Sequence, residues 1–468
     1  MALGNLETYS FGHNSFDASF DVVKTVTLQK TDMVEGNNKF YQIELHKGKT
    51  SGKFRIYSCY GRTGGRTPAK EERIPPSGLE EAEFDWLQRS KEKKKYKKVD
   101  MVATKLGTDE GNQKILSQDF KKDNVTSTAG VKVATISLDP TVVGLVKRLY
   151  SEAGQSCKSQ LNGSLQATAS NPLGTLSLTQ IKEGKDILLA ANNLLSKKKS
   201  LIDSIEPEVL ELTNSFYSAI PQQIPLRPKD ADGRKEWMRL HAINNSKILD
   251  EKSDLLDLLG DVKGMLAGFA TDDIVVKYQE LNCEMQSASP TEFDWAKKLL
   301  EGSQSRHHSW KLKAKRIWKI SSKGQKGYRD YVEKIGNVQP LFHGSRAANI
   351  MGICKKGLLL RPPGAYVTGS MFGNGLYFAD QSTKSSQYAT ARFGGSAGNE
   401  NTFFMYIADV ALGKIKKLQD SDSSLVKAPH GYDSIQGEKG RSLIHNEFIV
   451  YDVRQNELKY LIEFEQSY

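Results

Sequence analysis

The hydrophobic period changes twice along this chain, and that change restricts its architecture more than any other feature. Apolar and polar residues alternate through 22–28, 40–45 and 54–60, each run bounded by Gly, Asn or Ser clusters. A period of two with such punctuation predicts a small antiparallel sheet. Leu79, Ala82, Phe84, Trp86 and Leu87 then suit a helix that covers the sheet. Residues 111–135, polar and rich in Ser, Thr and Gly, read as a linker.

Beyond the linker the period becomes helical. Asp139-Pro140 places a cap before Pro at the first helical position, and Val142, Val143, Leu145, Val146 and Leu149 share one face. Ser177 and Gln180 have capping-box spacing ahead of Ile181, Ile187, Leu188, Ala191 and Leu195. Further helical stretches lie at 206–219 and 241–266, so a bundle is the natural packing. From about 272 strand-like runs return at 274–278, 316–320, 403–408, 448–451 and 460–464, predicting an α+β region. The expected division is a flexible leader at 1–20, a β-rich domain at 21–110, a linker at 111–135, a helical domain at 136–270 and an α+β domain at 271–468.

Composition narrows the function classes. At 468 residues the chain has room for two to four domains of roughly 100–200 residues each. Cys59, Cys157, Cys283 and Cys354 are scattered and form no C-x-x-C pair, so neither a disulfide framework nor a thiolate zinc site is expected. The start lacks a charged-then-apolar signal pattern, and no apolar run approaches the ~20 residues of a membrane span. A soluble protein of a reducing compartment, with no membrane partner, is expected. The net charge of +11 favours polyanionic partners, the plainer alternative being solubility. Six lysines crowd into residues 91–98, a solvated helix end or a phosphate-facing patch.

Chemistry-bearing residues gather near the C-terminus. Leu341-Phe342-His343-Gly344-Ser345-Arg346 follows a predicted strand. Gly373-Asn374-Gly375-Leu376-Tyr377-Phe378-Ala379-Asp380 is a glycine turn feeding a short strand. Lys384-Ser385-Ser386-Gln387-Tyr388 begins a helix, and His445-Asn446-Glu447 opens a late strand. Singly, each has an ordinary reading: a satisfied histidine, turn-packing aromatics, a solvated glutamate.

Together these stretches resemble the catalytic domain of the poly(ADP-ribose) polymerases, whose His-Tyr-Glu signature is carried here by His343, Tyr377 and Glu447. Segments at 172–177 and 216–221 resemble the family's helical regulatory domain. Tyr60-Gly61-Arg62-Thr63-Gly64 resembles its WGR domain, with Tyr where the family has Trp. The resemblance spans about 21–468 and has the layout of the short nuclear members activated by DNA breaks. The implied fold class is multidomain α+β: a small β-rich WGR domain, an all-α helical bundle, and an α+β ADP-ribosyltransferase domain with a split antiparallel sheet. The implied location is nuclear, or cytoplasmic and nucleoid for a prokaryotic source.

Cleaving the nicotinamide–ribose bond of NAD leaves an oxocarbenium-like sugar. The site must therefore grip the nicotinamide, orient the ribose and place an anion beside the reacting carbon. The resemblance assigns Tyr377 and Tyr388 to sandwich the ring, and the Gly344 backbone and Ser385 hydroxyl to bind its carboxamide. Close backbone approach suits a glycine at 344. His343 is assigned the ribose hydroxyls, and Ser345, Asn349 and Gly352 the adenosine side. Glu447 holds the nicotinamide ribose and polarises the acceptor hydroxyl, as a positioned carboxylate can, with Lys384 in support. NAD is the implied substrate and no metal is implied. Ser370 stands where well-known relatives have Tyr, and Leu359 where they have an adenosine-facing Arg.

Glu447 favours chain extension, with a mono-ADP-ribosyltransferase, a catalytically silent DNA-end scaffold and a transferase driven by protein partners as rivals. Tyr60 between Arg55, Arg62 and Arg66 is expected to stack on a DNA strand break with arginines on phosphates; capping of the sheet core is the structural alternative. The implied partners are DNA breaks, protein acceptors including the chain itself, and an accessory factor that completes the acceptor site. The helical domain is expected to restrain the site until DNA binds, so that removing 136–270 frees activity from DNA.

Overall fold

The computed structural model describes residues 3–10, 16–65, 67–99, 137–161, 176–197, 207–360, 371–390 and 402–468. The expected linker, residues 172–175, Ser370 and Arg66 lie outside the described residues. The chain forms two compact units. One comprises Met1–Ala129 and Cys157–Lys263; the other comprises Gly130–Ser156 and Gly264–Tyr468.

The first unit opens with a sheet built from β1 (Tyr9–Ser10), β2 (Phe20–Asp32), β3 (Asn37–Gly48), β4 (Phe54–Arg62), β5 (Ala69–Arg73) and β6 (Lys97–Val99). Its six strands run in the order β1-β5-β4-β3-β2-β6, every pair antiparallel; β1 falls within the expected flexible leader, which the open edge of β5 takes up as an added strand. The alternation places Val26, Leu28, Tyr41, Ile43, Leu45 and Ile56 on one face, where helix α1 (Glu80–Glu92) covers them with Phe84 and Leu87. Trp86 packs at the edge of the cluster rather than within it.

The helical region contains α2 (Pro140–Leu161), α3 (Leu178–Lys197), α4 (Pro207–Ala219), α5 (Ala231–His241) and α6 (Ser246–Lys263). The capping box at α3 is present: Gln180 N donates to Ser177 Oγ at 3.2 Å and Ser177 N to Gln180 Oε1 at 3.2 Å. Buried Leu255, Leu256, Leu258 and Leu259 mark the inward face of α6. Helix α5, unforeseen because its sequence is polar, is capped by Asp230 and buries only Trp237. Sheet and helices in this unit are tied by side-chain–backbone hydrogen bonds: Met33 N donates to Asn214 Oδ1 at 2.9 Å and Asn38 Nδ2 to Gln222 O at 2.8 Å.

In the second unit follow α7 (Leu266–Phe269), α8 (Ile274–Glu280), β7 (Cys283–Ser287), α9 (Pro290–Gly302), β8 (Lys311–Ser322), α10 (Tyr328–Ile335), β9 (Val338–Gly344) and α11 (Ile350–Lys356). Next come β10 (Leu376–Phe378), α12 (Ser382–Ala389), β11 (Thr402–Ala411), β12 (Ile415–Leu418), β13 (Ser434–Gly437), β14 (Glu447–Val450) and β15 (Asn456–Ser467). They make two sheets, ordered β7-β8-β15-β11-β9 and β10-β14-β13-β12. Pairing is antiparallel except between β12 and β13, which a long crossover permits to run parallel. A bridge links the sheets: Phe342 N donates to Ala379 O at 2.9 Å and Ala379 N to Phe342 O at 3.0 Å.

The first part of α2 belongs to this second unit. Arg148 donates to Thr402 O at 2.8 Å and to Glu463 Oε1 at 2.5 Å, its guanidinium 4.5 Å from the Phe404 ring centroid. Glu463 is 1% exposed and also accepts from Arg316, so a buried carboxylate is matched by two cations.

One expected strand is a helix. Residues 274–278 are β-branched and aromatic, but Asp273 accepts from Val275 N at 2.8 Å and opens α8 instead. The cap satisfies an end donor that a strand would leave to a neighbour, and local capping outweighs β-propensity. The strand is β7, immediately after it.

Candidate active site

The bridge between the two sheets lies one residue before His343 and one after Phe378, which places the ends of β9 and β10 side by side. His343 Nδ1 is 3.0 Å from Tyr377 O, and burial pushes its imidazole below the ordinary histidine range, so the ring is neutral near pH 7. The Tyr377 hydroxyl donates to Gly373 O at 2.7 Å and accepts from Phe372 N at 3.0 Å, which fixes the ring against the glycine turn. Gly373 has φ +73°, and a Cβ there would lie 1.8 Å from Leu425 O, so the turn admits only glycine.

Helix α12 packs against β9 with almost no clearance. A Cβ on Gly344 would lie 1.9 Å from Ser385 O and 3.5 Å from Tyr388 Cβ. The glycine thus serves the seating of the helix as well as access to the β9 backbone. Ser385 Oγ donates to Phe342 O at 3.1 Å, while Trp310 Nε1 donates to Ser386 Oγ at 3.2 Å from behind. Tyr388 is 42% exposed, with Lys384 Nζ 6.0 Å from its ring centroid.

Pairing of β10 with β14, Tyr377 opposite Ile449 and Phe378 opposite Phe448, carries Glu447 to the same place. Glu447 is 4% exposed. Its Oε1 is 2.8 Å from Lys384 Nζ, whereas its buried Oε2 has no hydrogen-bond partner among the described residues. A desolvated carboxylate oxygen without a donor is costly unless a ligand supplies one. For Lys384, burial acts to lower the ammonium pKa, but the charges of Tyr388 and Glu447 and the hydrogen bond outweigh it and hold it above the ordinary value.

His343, Gly344, Tyr377, Lys384, Ser385, Tyr388 and Glu447 therefore surround one locus. Ser345 and Asn349 follow on the half-buried turn after β9, and Gly352 is buried in α11. Leu359 is 59% exposed. Sequence reasoning gave no role to Asp380, His308 or His445; Lys384 and Asp380 act electrostatically on His445, which stands two residues before Glu447. Asp380 Oδ2 accepts from Asn446 Nδ2 at 3.1 Å, and His445 Nε2 is 3.3 Å from His308 Nε2. No signal in the sequence joins positions so far apart. Among the described residues no cluster of His, Cys, Asp or Glu is arranged to hold a metal ion, and no helix is long and apolar enough to cross a membrane.

The expected DNA-facing residues separate. Tyr60 is half-buried and stacks on Tyr41 with ring centroids 4.7 Å apart, and its hydroxyl donates to Glu71; that bond and burial push it up to about 12. Lys91 Nζ is 3.9 Å from the Tyr41 centroid, so one lysine of the basic run joins this aromatic stack. Arg55, expected on a phosphate, is instead buried: it donates to Glu72 at 3.0 Å and to His46 Nδ1 at 3.1 Å, because its position on β4 faces inward. Arg62 points to the helical region, donating to Ile224 O at 2.8 Å and Pro225 O at 3.1 Å.

The α+β region matches a catalytic-domain profile, and the chain is an NAD+ ADP-ribosyltransferase. Three family profiles match successive segments: the WGR domain at 24–102, the poly(ADP-ribose) polymerase regulatory domain at 137–267, and the poly(ADP-ribose) polymerase catalytic domain at 290–442. The catalytic match ends short of Glu447, whose placement rests on the β10–β14 pairing. Poly [ADP-ribose] polymerase 2-A of Oryza sativa subsp. japonica is 26% identical over 94% of this chain and 70% of its own length. Poly [ADP-ribose] polymerase 2 of Homo sapiens is 25% identical over 100% of this chain and 82% of its own. Poly [ADP-ribose] polymerase 1 of Xenopus laevis is 27% identical over 95% of this chain, which spans 46% of that longer protein. The chain belongs to the poly(ADP-ribose) polymerase family.

Proposed function

We propose that this protein is a DNA-break-activated poly(ADP-ribose) polymerase. It transfers ADP-ribose from NAD to protein acceptors, itself included, and to growing ADP-ribose chains, and it releases nicotinamide. The observation that carries this reading is Glu447, with one oxygen fixed by Lys384 and the other buried without a protein donor. A ribose hydroxyl supplies the missing donor. The same carboxylate stabilises positive charge developing at the anomeric carbon and polarises the acceptor hydroxyl, an effect typically worth ~10²–10⁴ in rate.

The remaining roles follow from chemistry. Tyr377 and Tyr388 stack on nicotinamide, Gly344 backbone and Ser385 hydroxyl take its carboxamide, and neutral His343 binds a ribose hydroxyl. Ser385 Oγ must then turn from Phe342 O to the ligand. Ser345, Asn349 and Gly352 line the adenosine side. A carboxylate in place of an apolar residue at 447 supports chain extension.

The proposed domains are WGR at 21–110, helical regulatory at 136–270 and catalytic at 271–468, in a nuclear protein that serves DNA repair. Tyr60 and its stack on Tyr41 present an aromatic platform to a DNA end, while Arg62 relays the bound state to the helical region through the carbonyls of Ile224 and Pro225. Because Arg148 fastens α2 to β11 and β15, the segment whose removal releases activity from DNA is 176–263 rather than all of 136–270. An accessory factor completing the acceptor site is a further proposed partner.

The test is automodification with labelled NAD, with and without a 5′-phosphorylated nicked duplex. A DNA-stimulated ladder of lengthening products supports the reading. A single added unit makes the protein a mono-ADP-ribosyltransferase, and equal labelling without DNA removes break activation.

A further inference from the structure

Each ADP-ribosyl transfer releases a proton. The acceptor oxygen bonds to the ribose carbon, the carbon–nicotinamide bond breaks with its electron pair going to the ring nitrogen, and the acceptor's hydrogen must leave the pocket. Lys384 cannot take it, being an ammonium already held above its ordinary pKa. Glu447 holds the hydroxyl but is walled in, with 4% exposure.

Two residues before Glu447 stands His445, within the field of Lys384, and with His308 and His307 it makes three imidazoles graded from interior to surface. His445 is 4% exposed, His308 half-buried and His307 exposed. His445 Nε2 is 3.3 Å from His308 Nε2, a distance at which one ring carries the proton the other accepts. The His307 and His445 centroids are 5.9 Å apart. His308 lies flat on Trp310, centroids 4.2 Å apart and planes 13° apart, which holds the ring. Trp310 is itself fixed by Ser386 of α12, and Gln387 Nε2 of the same helix lies 3.2 Å from His308 Nε2.

Resting on the transferase reading above, we infer that His445 and His308 are the proton outlet of the site, carrying the acceptor's proton from Glu447 toward solvent at His307. The charged groups facing His445 are Lys384, His307, Asp380 and Lys439; burial, then Lys384 and His307, lower its pKa, so it is neutral and able to accept at pH 7. Asp380 acts in the opposite sense, and its Oδ1 has no hydrogen-bond partner among the described residues, leaving it free to stabilise the imidazolium in transit.

The test compares His445→Gln, His445→Ala and His308→Gln with wild type in the full chain, following nicotinamide release against pH. The outlet predicts a fall in kcat of about 10²-fold at neutral pH with KM for NAD changed by less than about twofold. It also predicts loss of the wild-type acid limb, and partial rescue of His445→Ala by added imidazole. A merely structural role moves KM or thermal stability and gives no rescue. If His445→Ala fails to fold, His308→Gln decides by the same kcat and pH readouts. Variants that turn over like wild type with an unchanged pH profile overturn the outlet alone, whereas a wild type that releases no nicotinamide overturns the transferase reading itself.

Discussion

Replacing Gly344 by Ala tests how the site is assembled. The added methyl would lie 1.9 Å from Ser385 O, so β9 and α12 must part by about 1.5 Å to restore ordinary contact. The obstacle is backbone, which cannot turn aside as a side chain would. Overpacking of this kind costs about 1–3 kcal/mol, or roughly 2–10 °C in the melting temperature of a unit this size. The catalytic effect is larger, because α12 carries Lys384, Ser385 and Tyr388 together. A displacement near 1 Å costs on the order of 10²-fold in rate. Gly344→Ala is therefore expected to lower kcat/KM by about 10²-fold, raise KM for NAD and weaken nicotinamide competition, measured by nicotinamide release alongside a thermal melt. A variant with wild-type KM and melting temperature would refute the close seating of α12 on β9.

Arg148→Met leaves Arg316 as the cation on Glu463 beside the Thr402 hydroxyl, so the loss should sit near the low end of the ~3–5 kcal/mol for breaking a buried pair; a melt lowered by less than about 6 °C would contradict it. Tyr60→Ala should weaken binding to a nicked duplex by ~1–3 kcal/mol at fixed salt, read by fluorescence anisotropy. Unchanged affinity would return Tyr60 to capping the sheet. His343 and His445 have folded pKa values below the unfolded 6.5, so unfolding takes up protons. Stability is complete above about pH 6.5 and is lost as pH falls through the folded values. The melting temperature should drop as pH falls below about 6.5, with a shallower slope in His343→Gln, and parallel slopes would contradict the assignment.

What the sequence made legible is what local chemistry dictates. Alternation at 22–28, 40–45 and 54–60 gave β2, β3 and β4, and Ser177 with Gln180 gave the start of α3, because pleat and cap are decided within a few residues. The run at 274–278 misled because side-chain propensity says nothing of the Asp273 cap ahead of it. Arg55 misled because its side of β4 depends on register against β3 and β5, which turns a phosphate-ready arginine into a buried partner of Glu72. At the site, motifs pointed to His343, Tyr377 and Glu447, but the reason for Gly344 lies in a helix more than thirty residues on. The pairing of His308 with His445 likewise exists only once β14 is laid beside β10.

The most direct measurement of the central claim is nicotinamide release from NAD by wild type and Glu447→Gln, with NAD affinity determined for both. Glutamine keeps the shape and an oxygen acceptor but removes the charge beside the reacting sugar, so turnover should fall by ~10²–10⁴ while NAD still binds. Equal turnover in the two proteins would contradict the account.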